Sequence, residues 1–206
     1  MNHFADSVEA IDRAAFVLIN NGLRHPLLDV FMPFVTEKWN FVLPMALVVL
    51  YLLGKGGRQG RMIVLCAVLL VVCADASATA LRSYFQRVRP CQALDGVRLL
   101  VGCSDSFSFP SGHATNAFAL AAFFATYYRQ RAVLLFVMAA LAGYSRIYVG
   151  VHYPTDVLGG AILGVAFGLA VGVSSRKLGR RWLKKRVESH GREASPGAQS
   201  RPTPDP

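Results

Sequence analysis

Apolar residues in this chain come in blocks nearly as long as a bilayer is thick. "MIVLCAVLLVVCADASATAL" (residues 62–81), "AVLLFVMAALAGYSRIYVGV" (132–151) and "VLGGAILGVAFGLAVGVSS" (157–175) are free of all but isolated charges. So is "WNFVLPMALVVLYLLG" (39–54), which follows directly on "LLDVFMPFVTEK" (27–38). Each block approaches the roughly 20 residues a helix needs to cross the hydrocarbon core. A fifth, "ATNAFALAAFFATYY" (114–128), is shorter but uncharged. With 53% of its 206 residues hydrophobic and only 17% charged, the chain is too apolar for a soluble domain of this length. The pattern predicts an all-α integral membrane protein, a bundle of about five to six transmembrane helices with an N-terminal interfacial helix.

Residues 1–23 carry Asp6, Glu9, Asp12 and Arg13 among apolar positions at helical spacing. That suits an amphipathic helix lying in the membrane interface, or one packed on the domain, better than a span. The segment lacks the basic start and small-residue cleavage site of a removable signal peptide. Residues 24–178 are then the transmembrane core, and residues 179–206 a basic, then disordered tail ending in "ESHGREASPGAQSRPTPDP".

The net charge of +10 is distributed against a nucleic-acid partner. Lys55, Arg58 and Arg61 share one interhelical loop, Arg129 and Arg131 another, and Arg176, Lys177, Arg180, Arg181, Lys184, Lys185 and Arg186 follow the last span. All three groups lie on one side if five spans alternate, and the positive-inside rule makes that side cytoplasmic. The basic tail then sits against anionic lipid headgroups. The N-terminal segment, the loop over residues 82–112 and the turn over residues 146–156 face outward. Cys66 and Cys73 fall within a span as packing residues. Cys91 and Cys103 fall in the outward loop, where the spacing admits either a disulfide or two free thiols.

Three polar islands interrupt the apolar chain on that outward side: "RSYFQRVRP" (82–90), "FPSGH" (109–113) and "SRIYVGVHYPTD" (145–156). Charged groups at the margin of a membrane are costly and read first as a functional site. Arg82, Arg89 and Arg146 make a cationic cluster with few acids to neutralise it, so an anion is missing. The planar guanidinium suits phosphate oxygens, and the helix opened by Ser111 and Gly112 adds backbone N–H donors. His113 and His152 then have natural roles, because phosphoryl transfer through a covalent intermediate needs a nucleophile on one side of phosphorus and an acid on the other. Pro154 ends the preceding span near His152 and starts the next helix, whose first turn carries Asp156. Asp156 can accept a hydrogen bond from one imidazole nitrogen and leave the other free to attack. His113, His152 and Asp156 are also possible metal ligands, but the arginines would repel a cation while supplying the neutralisation a metal usually brings. No metal and no cofactor are expected.

The ordered trio resembles the type-2 phosphatidic acid phosphatase family, whose signature reads K-x6-R-P, P-S-G-H and S-R-x5-H-x3-D. Pro110-Ser111-Gly112-His113 match the second block, and Ser145-Arg146, His152 and Asp156 the third. The first is matched at Arg89-Pro90, with Arg82 where the family usually has lysine, a change that keeps the charge and alters its geometry. The resemblance implies an all-helical membrane core and a metal-independent phosphatase. In it His152 attacks phosphorus to give a phosphohistidine, His113 protonates the leaving oxygen and Asp156 orients His152. Arg82, Arg89, Ser111, Gly112 and Arg146 bind phosphate, and water hydrolyses the intermediate. The substrate implied is a phosphorylated membrane lipid, undecaprenyl diphosphate first, with phosphatidylglycerophosphate, phosphatidate and lipid A as alternatives. The same signature resembles the soluble vanadium-dependent haloperoxidases, which the apolar blocks exclude. Phosphotransfer to another hydroxyl and a non-catalytic lipid-binding protein are the remaining alternatives, the latter disfavoured by the intact His113, His152 and Asp156.

Overall fold

The computed structural model describes residues 3–193, with side chains described over residues 6–179. The elements are α1 (His3–Val17) with a π-helical turn after it (Leu18–Gly22), α2 (Pro26–Thr36), a 3-10 turn (Lys38–Phe41), α3 (Val42–Lys55) and α4 (Gly57–Phe85). The short α5 (Pro90–Ala93), α6 (Gly112–Tyr127), a second 3-10 turn (Arg129–Arg131), α7 (Ala132–Tyr148) and α8 (Pro154–Glu193) follow. Among the described residues there is no strand. Among the described residues four segments are long and apolar enough to cross a bilayer: Lys38–Lys55, Gly57–Ala93, Arg129–Tyr148 and Pro154–Gly179. At 16 residues α6 is shorter than these, yet it is the central helix, packed against α4, α7 and α8.

Two sequence expectations are corrected. The apolar stretch 27–38 does not extend the first span. It folds as the separate 11-residue α2, because His25 caps it through Nδ1 (3.2 Å from Leu27 N), Pro26 presets its first turn, and Glu37 is extended. Glu37 then caps the 3-10 turn leading into α3, accepting from Trp39 N at 3.4 Å. At the other end α8 continues to Glu193, so helix covers the first residues of the stretch expected to be disordered. Residues 194–206, the rest of that tail, lie outside the described residues.

The N-termini of α6 and α8 meet the C-termini of α4 and α7 at one end of the bundle. Lys55, Arg58, Arg61, Arg129, Arg131 and Arg176 gather at the other. The alignment of α6 with α8 rests on small residues. Gly160, Gly164 and Gly168 face α6 one turn apart, and a Cβ at any of them would stand closer than 3.0 Å to the carbonyl oxygens of Ser111, Thr115 and Ala119 respectively. Between helices in lipid, where burial of apolar surface from water supplies no drive, such close backbone approach is what holds a pair together. Gly164→Val is therefore expected to lower stability by about 3 kcal/mol through overpacking. The thermal midpoint in detergent measures this, with Gly54→Ala, which meets nothing within 4 Å, as the neutral control.

Helix α1 packs across the site end. Along α1 and the π-helical turn after it, the stripe Asp12, Phe16 and Asn20 is buried, while Val8, Ile11 and Leu18 are exposed. Asn20 donates to the carbonyls of Arg98 (2.9 Å) and Tyr148 (2.8 Å) and accepts from Arg98 N (2.9 Å), which ties α1 to α7.

Candidate active site

Five residues, 149–153, separate the C-terminus of α7 from the first turn of α8, and together with that turn they set the centre of the site. Gly150 turns the chain with φ +91°, where a Cβ would press on Arg98 O at 2.8 Å and Val97 at 2.9 Å. Val151 N and His152 N both donate back to Arg146 O at 3.2 Å, and Pro154 opens α8. Asp156 then bends back, its Oδ2 accepting from Tyr153 N at 2.8 Å. His152 and Asp156 are 2% and 0% exposed, so bulk water is kept from both.

The His152 ring is held from two sides. Nδ1 lies 3.4 Å from Asp156 Oδ2 and 3.4 Å from Ser108 Oγ, whose hydroxyl donates to that same carboxylate oxygen. Nε2 faces Arg89 Nη1 at 3.1 Å. With the proton on Nδ1 beside the carboxylate, Nε2 carries the lone pair and points into the arginine cluster. Burial lowers the His152 pKa to about 4, Arg89 and Arg146 push the same way, and Asp156 opposes them. The neutral, nucleophilic form thus prevails at neutral pH. The acid limb of kcat/KM, which reports the free enzyme, is expected well below the 6.5 of an ordinary histidine. Activity should persist at pH 5.5 and fall as pH drops through about 4, read from a pH–rate profile.

Arg89 is buried and fixed by the loop in front of it. Nε donates to Ser106 O (2.6 Å), Nη2 to Ser106 Oγ (2.9 Å) and Phe107 O (3.3 Å), and Nη1 to Val151 O (3.1 Å). A disulfide between Cys91 and Cys103 pins this loop and settles the alternative the spacing left open.

At the head of α6, Ser111 is the N-cap (Oγ accepting from Ala114 N, 3.5 Å), and Ser111 N donates to Asp156 O at 3.0 Å, joining the two helix starts. Gly112 is glycine for a visible reason: a Cβ there would sit 2.7 Å from Arg82 Nη1, so the guanidinium lies against bare backbone. Arg82 is steadied by Thr79, to whose Oγ1 Nη2 donates at 2.7 Å. Arg146 donates to Thr36 Oγ1 of α2 at 2.7 Å, while its Nε is buried with no partner. A buried guanidinium N–H without an acceptor fits a site built for an oxyanion. His113 stands in the first turn of α6 and is exposed.

All the sequence-selected residues thus gather at one end of the bundle, but they do not all touch. His152, Asp156 and Arg89 form one contact group, Gly112 and Arg82 another. Arg146 reaches the site from α7 while anchored to α2. Three participants were not anticipated. Ser108 bridges Asp156 and His152 from an unremarkable "SFSFP" loop. Arg87 donates to Asp156 Oδ1 at 2.7 Å, and Asp12 of α1 accepts from Arg87 Nη2 at 2.6 Å. The only signal for Arg87 was a second arginine two residues before Arg89.

The description PAP2 superfamily matches residues 61–180, which contain all three motifs. The chain belongs to the PAP2 superfamily. A lipid A 4'-phosphatase of Porphyromonas gingivalis is 32% identical over 87% of this chain and 79% of its own length. An undecaprenyl-diphosphatase, BcrC, of Bacillus subtilis is 33% identical over 72% of this chain and 76% of its own. Among solved structures, a transmembrane PAP2-type phosphatidylglycerolphosphate phosphatase from Bacillus subtilis superposes with a TM-score of 0.65 at 29% identity, covering 86% of this chain and 88% of that one. The all-helical membrane fold and the lipid phosphatase class expected from the motifs agree with this membership.

Proposed function

We propose that this PAP2 protein hydrolyses the phosphate of a membrane lipid by in-line attack of His152 Nε2 on phosphorus. The observation that carries the reading is the buried His152 ring, backed at Nδ1 by Asp156 and facing Arg89 at Nε2. The phosphate lies among Arg82, Arg89, Arg146 and the N-terminus of α6 at Ser111 and Gly112, where guanidinium and backbone N–H groups neutralise its oxygens. Attack breaks the bond from phosphorus to the leaving oxygen, which takes a proton from His113. Desolvation and Arg146 lower that imidazole's pKa to about 3 in the free protein, so it takes up its proton with the substrate, whose negative charge offsets them. The phosphohistidine is then attacked by water, to which His113, now a base, lends its free nitrogen. Inorganic phosphate leaves and both histidines are restored. The arginines carry the developing charge, so no metal enters the scheme.

The site end faces the extracytoplasmic side of a bacterial cytoplasmic membrane. The basic groups at the other end support this through the positive-inside rule, and the Cys91–Cys103 bond belongs in an oxidising compartment. The basic residues after the last span meet anionic headgroups; those from position 180 on lie outside the described side chains.

The substrate we place first is undecaprenyl diphosphate. Three arginines, one with a buried N–H to spare, offer more positive charge than a monoester needs. One observation favours a phosphomonoester on a hydroxyl-bearing headgroup, as in lipid A or phosphatidylglycerophosphate. Asp75 is exposed on α4, and its Oδ1 lies 3.6 Å from where a Gly112 Cβ would be. A carboxylate there accepts from hydroxyls and repels a second phosphate.

Phosphate release by the purified protein, with chelator present, from undecaprenyl diphosphate, phosphatidylglycerophosphate, phosphatidate and lipid A decides. Preference for the diphosphate supports the first reading, and preference for a polyol monoester that weakens in Asp75→Asn supports the second. Release that needs added metal, or none from any lipid, would overturn the proposal.

A further inference from the structure

Helix α1 reaches further into the chemistry than an interfacial helix needs to. Its single buried acid, Asp12, is 3% exposed and fully engaged. Oδ2 accepts from Arg87 Nη2 (2.6 Å) and from Thr155 Oγ1 (2.5 Å), and Oδ1 from Thr155 N (2.9 Å). Arg87 in turn lies over the Tyr153 ring, 4.1 Å from its centroid, and its Nη1 donates to Thr155 Oγ1 and Asp156 Oδ1, both at 2.7 Å. A continuous polar chain therefore runs from α1 through Arg87 to Asp156 and on to His152. It crosses residues that are neighbours only in space.

We infer that Asp12 and Arg87 are positioning residues for the reaction at His152, with α1 supplying the far end of the catalytic chain. The argument is one of charge and geometry. Arg87 takes Oδ1 of Asp156 and so presents Oδ2 to Nδ1 of His152, to Ser108 and to Tyr153 N. A lone arginine in that place would also cancel the carboxylate's charge at hydrogen-bonding distance, where the dielectric is low and the effect large. Asp12 offsets it. The group Asp12–Arg87–Asp156 keeps one net negative charge, so Asp156 still stabilises the positive charge that grows on the His152 ring during attack. Thr155 locks the arrangement by binding Asp12 through both its N–H and its hydroxyl. The inward stripe of α1 exists to deliver Asp12, while its exposed Val8, Ile11 and Leu18 are left for the apolar surroundings.

The inference rests on His152 being the nucleophile, so its test carries His152→Ala alongside. Full-length protein is assayed in phosphatidylethanolamine–phosphatidylglycerol vesicles on whichever lipid of the panel above is turned over fastest. Asp12→Asn is expected to lower kcat at least about tenfold with KM within about twofold, since it disturbs alignment and charge rather than phosphate contacts. Asp12→Glu should recover part of the loss. Combining Asp12→Asn with Arg87→Lys should cost less than the product of the single losses, because both act through Asp156. Asn20→Ala, which loosens α1 without touching the chain, should lower the thermal midpoint and leave kcat within about twofold. If Asp12→Asn does not fold, Thr155→Val removes the hydroxyl between Asp12 and Arg87 and is expected to lower kcat severalfold. Unchanged kcat in Asp12→Asn or Thr155→Val, or an equal loss in Asn20→Ala, overturns the inference while an inactive His152→Ala leaves the nucleophile assignment standing. An active His152→Ala overturns both.

Discussion

His152→Ala is expected to bring phosphate release to the uncatalysed background, at least about 10⁴-fold below the parent protein. The size follows from the burial of the site. At 2% exposure His152 occupies the space beside Arg89 that an attacking water would have to enter, and Asp156 beneath it is fully enclosed. A water admitted by the alanine would have no base poised behind it. The neighbouring Asp156 is already engaged by Arg87, Ser108 and Tyr153 N. In the proposed scheme His113 serves the leaving oxygen and does not replace the nucleophile. Brief exposure of the parent protein to substrate labelled with ³²P on the scissile phosphate, followed by alkaline quench, should leave label on the protein. That label should be released by acid, as a phosphoramidate is, and be absent from His152→Ala. Label stable to acid, or retained in the variant, would move the nucleophile to another residue.

The membrane spans were legible because crossing a bilayer demands apolar length, and α3, α4, α7 and α8 all show it. The motif residues were legible because each sits at a helix end: Arg82 in the last turn of α4, His113 in the first of α6, Arg146 in the last of α7, Asp156 in the first of α8. Helix ends at one side of a membrane must converge in a small bundle, so order along the chain translated into proximity. What failed to translate has physical reasons. The 27–38 stretch is as apolar as a span, and hydropathy does not register the caps at His25 and Glu37 that cut it short. The direction of α1 was ambiguous because the outside of a membrane protein is as apolar as its core. Helical spacing set Asp12 among apolar positions without saying that its face turns inward. Ser108 and Arg87 act through contacts 48 and 69 residues away in sequence, and no local pattern encodes such pairings.

Asp156→Asn should be nearly as damaging as loss of the nucleophile, about 10³-fold to 10⁴-fold in kcat, although it changes a single atom. The carboxylate now serves four partners, all of them donors: the Arg87 guanidinium, the Ser108 hydroxyl, Tyr153 N and the protonated Nδ1 of His152. An amide has one acceptor oxygen. If that oxygen stays with Arg87, the amide NH2 faces Nδ1, which must then accept. The ring proton moves to Nε2, and the lone pair that should attack phosphorus is gone. If the oxygen turns to Nδ1 instead, the NH2 is pressed against the Arg87 guanidinium, donor against donor, and the chain to Asp12 breaks. Either arrangement leaves the phosphate pocket of Arg82, Arg89 and Arg146 in place, so substrate affinity should survive. The expected signature is a collapsed kcat with KM within about threefold, and inhibition by vanadate at concentrations close to those for the parent protein. A matching rise in KM would mean that Asp156 shapes the phosphate pocket rather than the imidazole, and the orienting role would be lost.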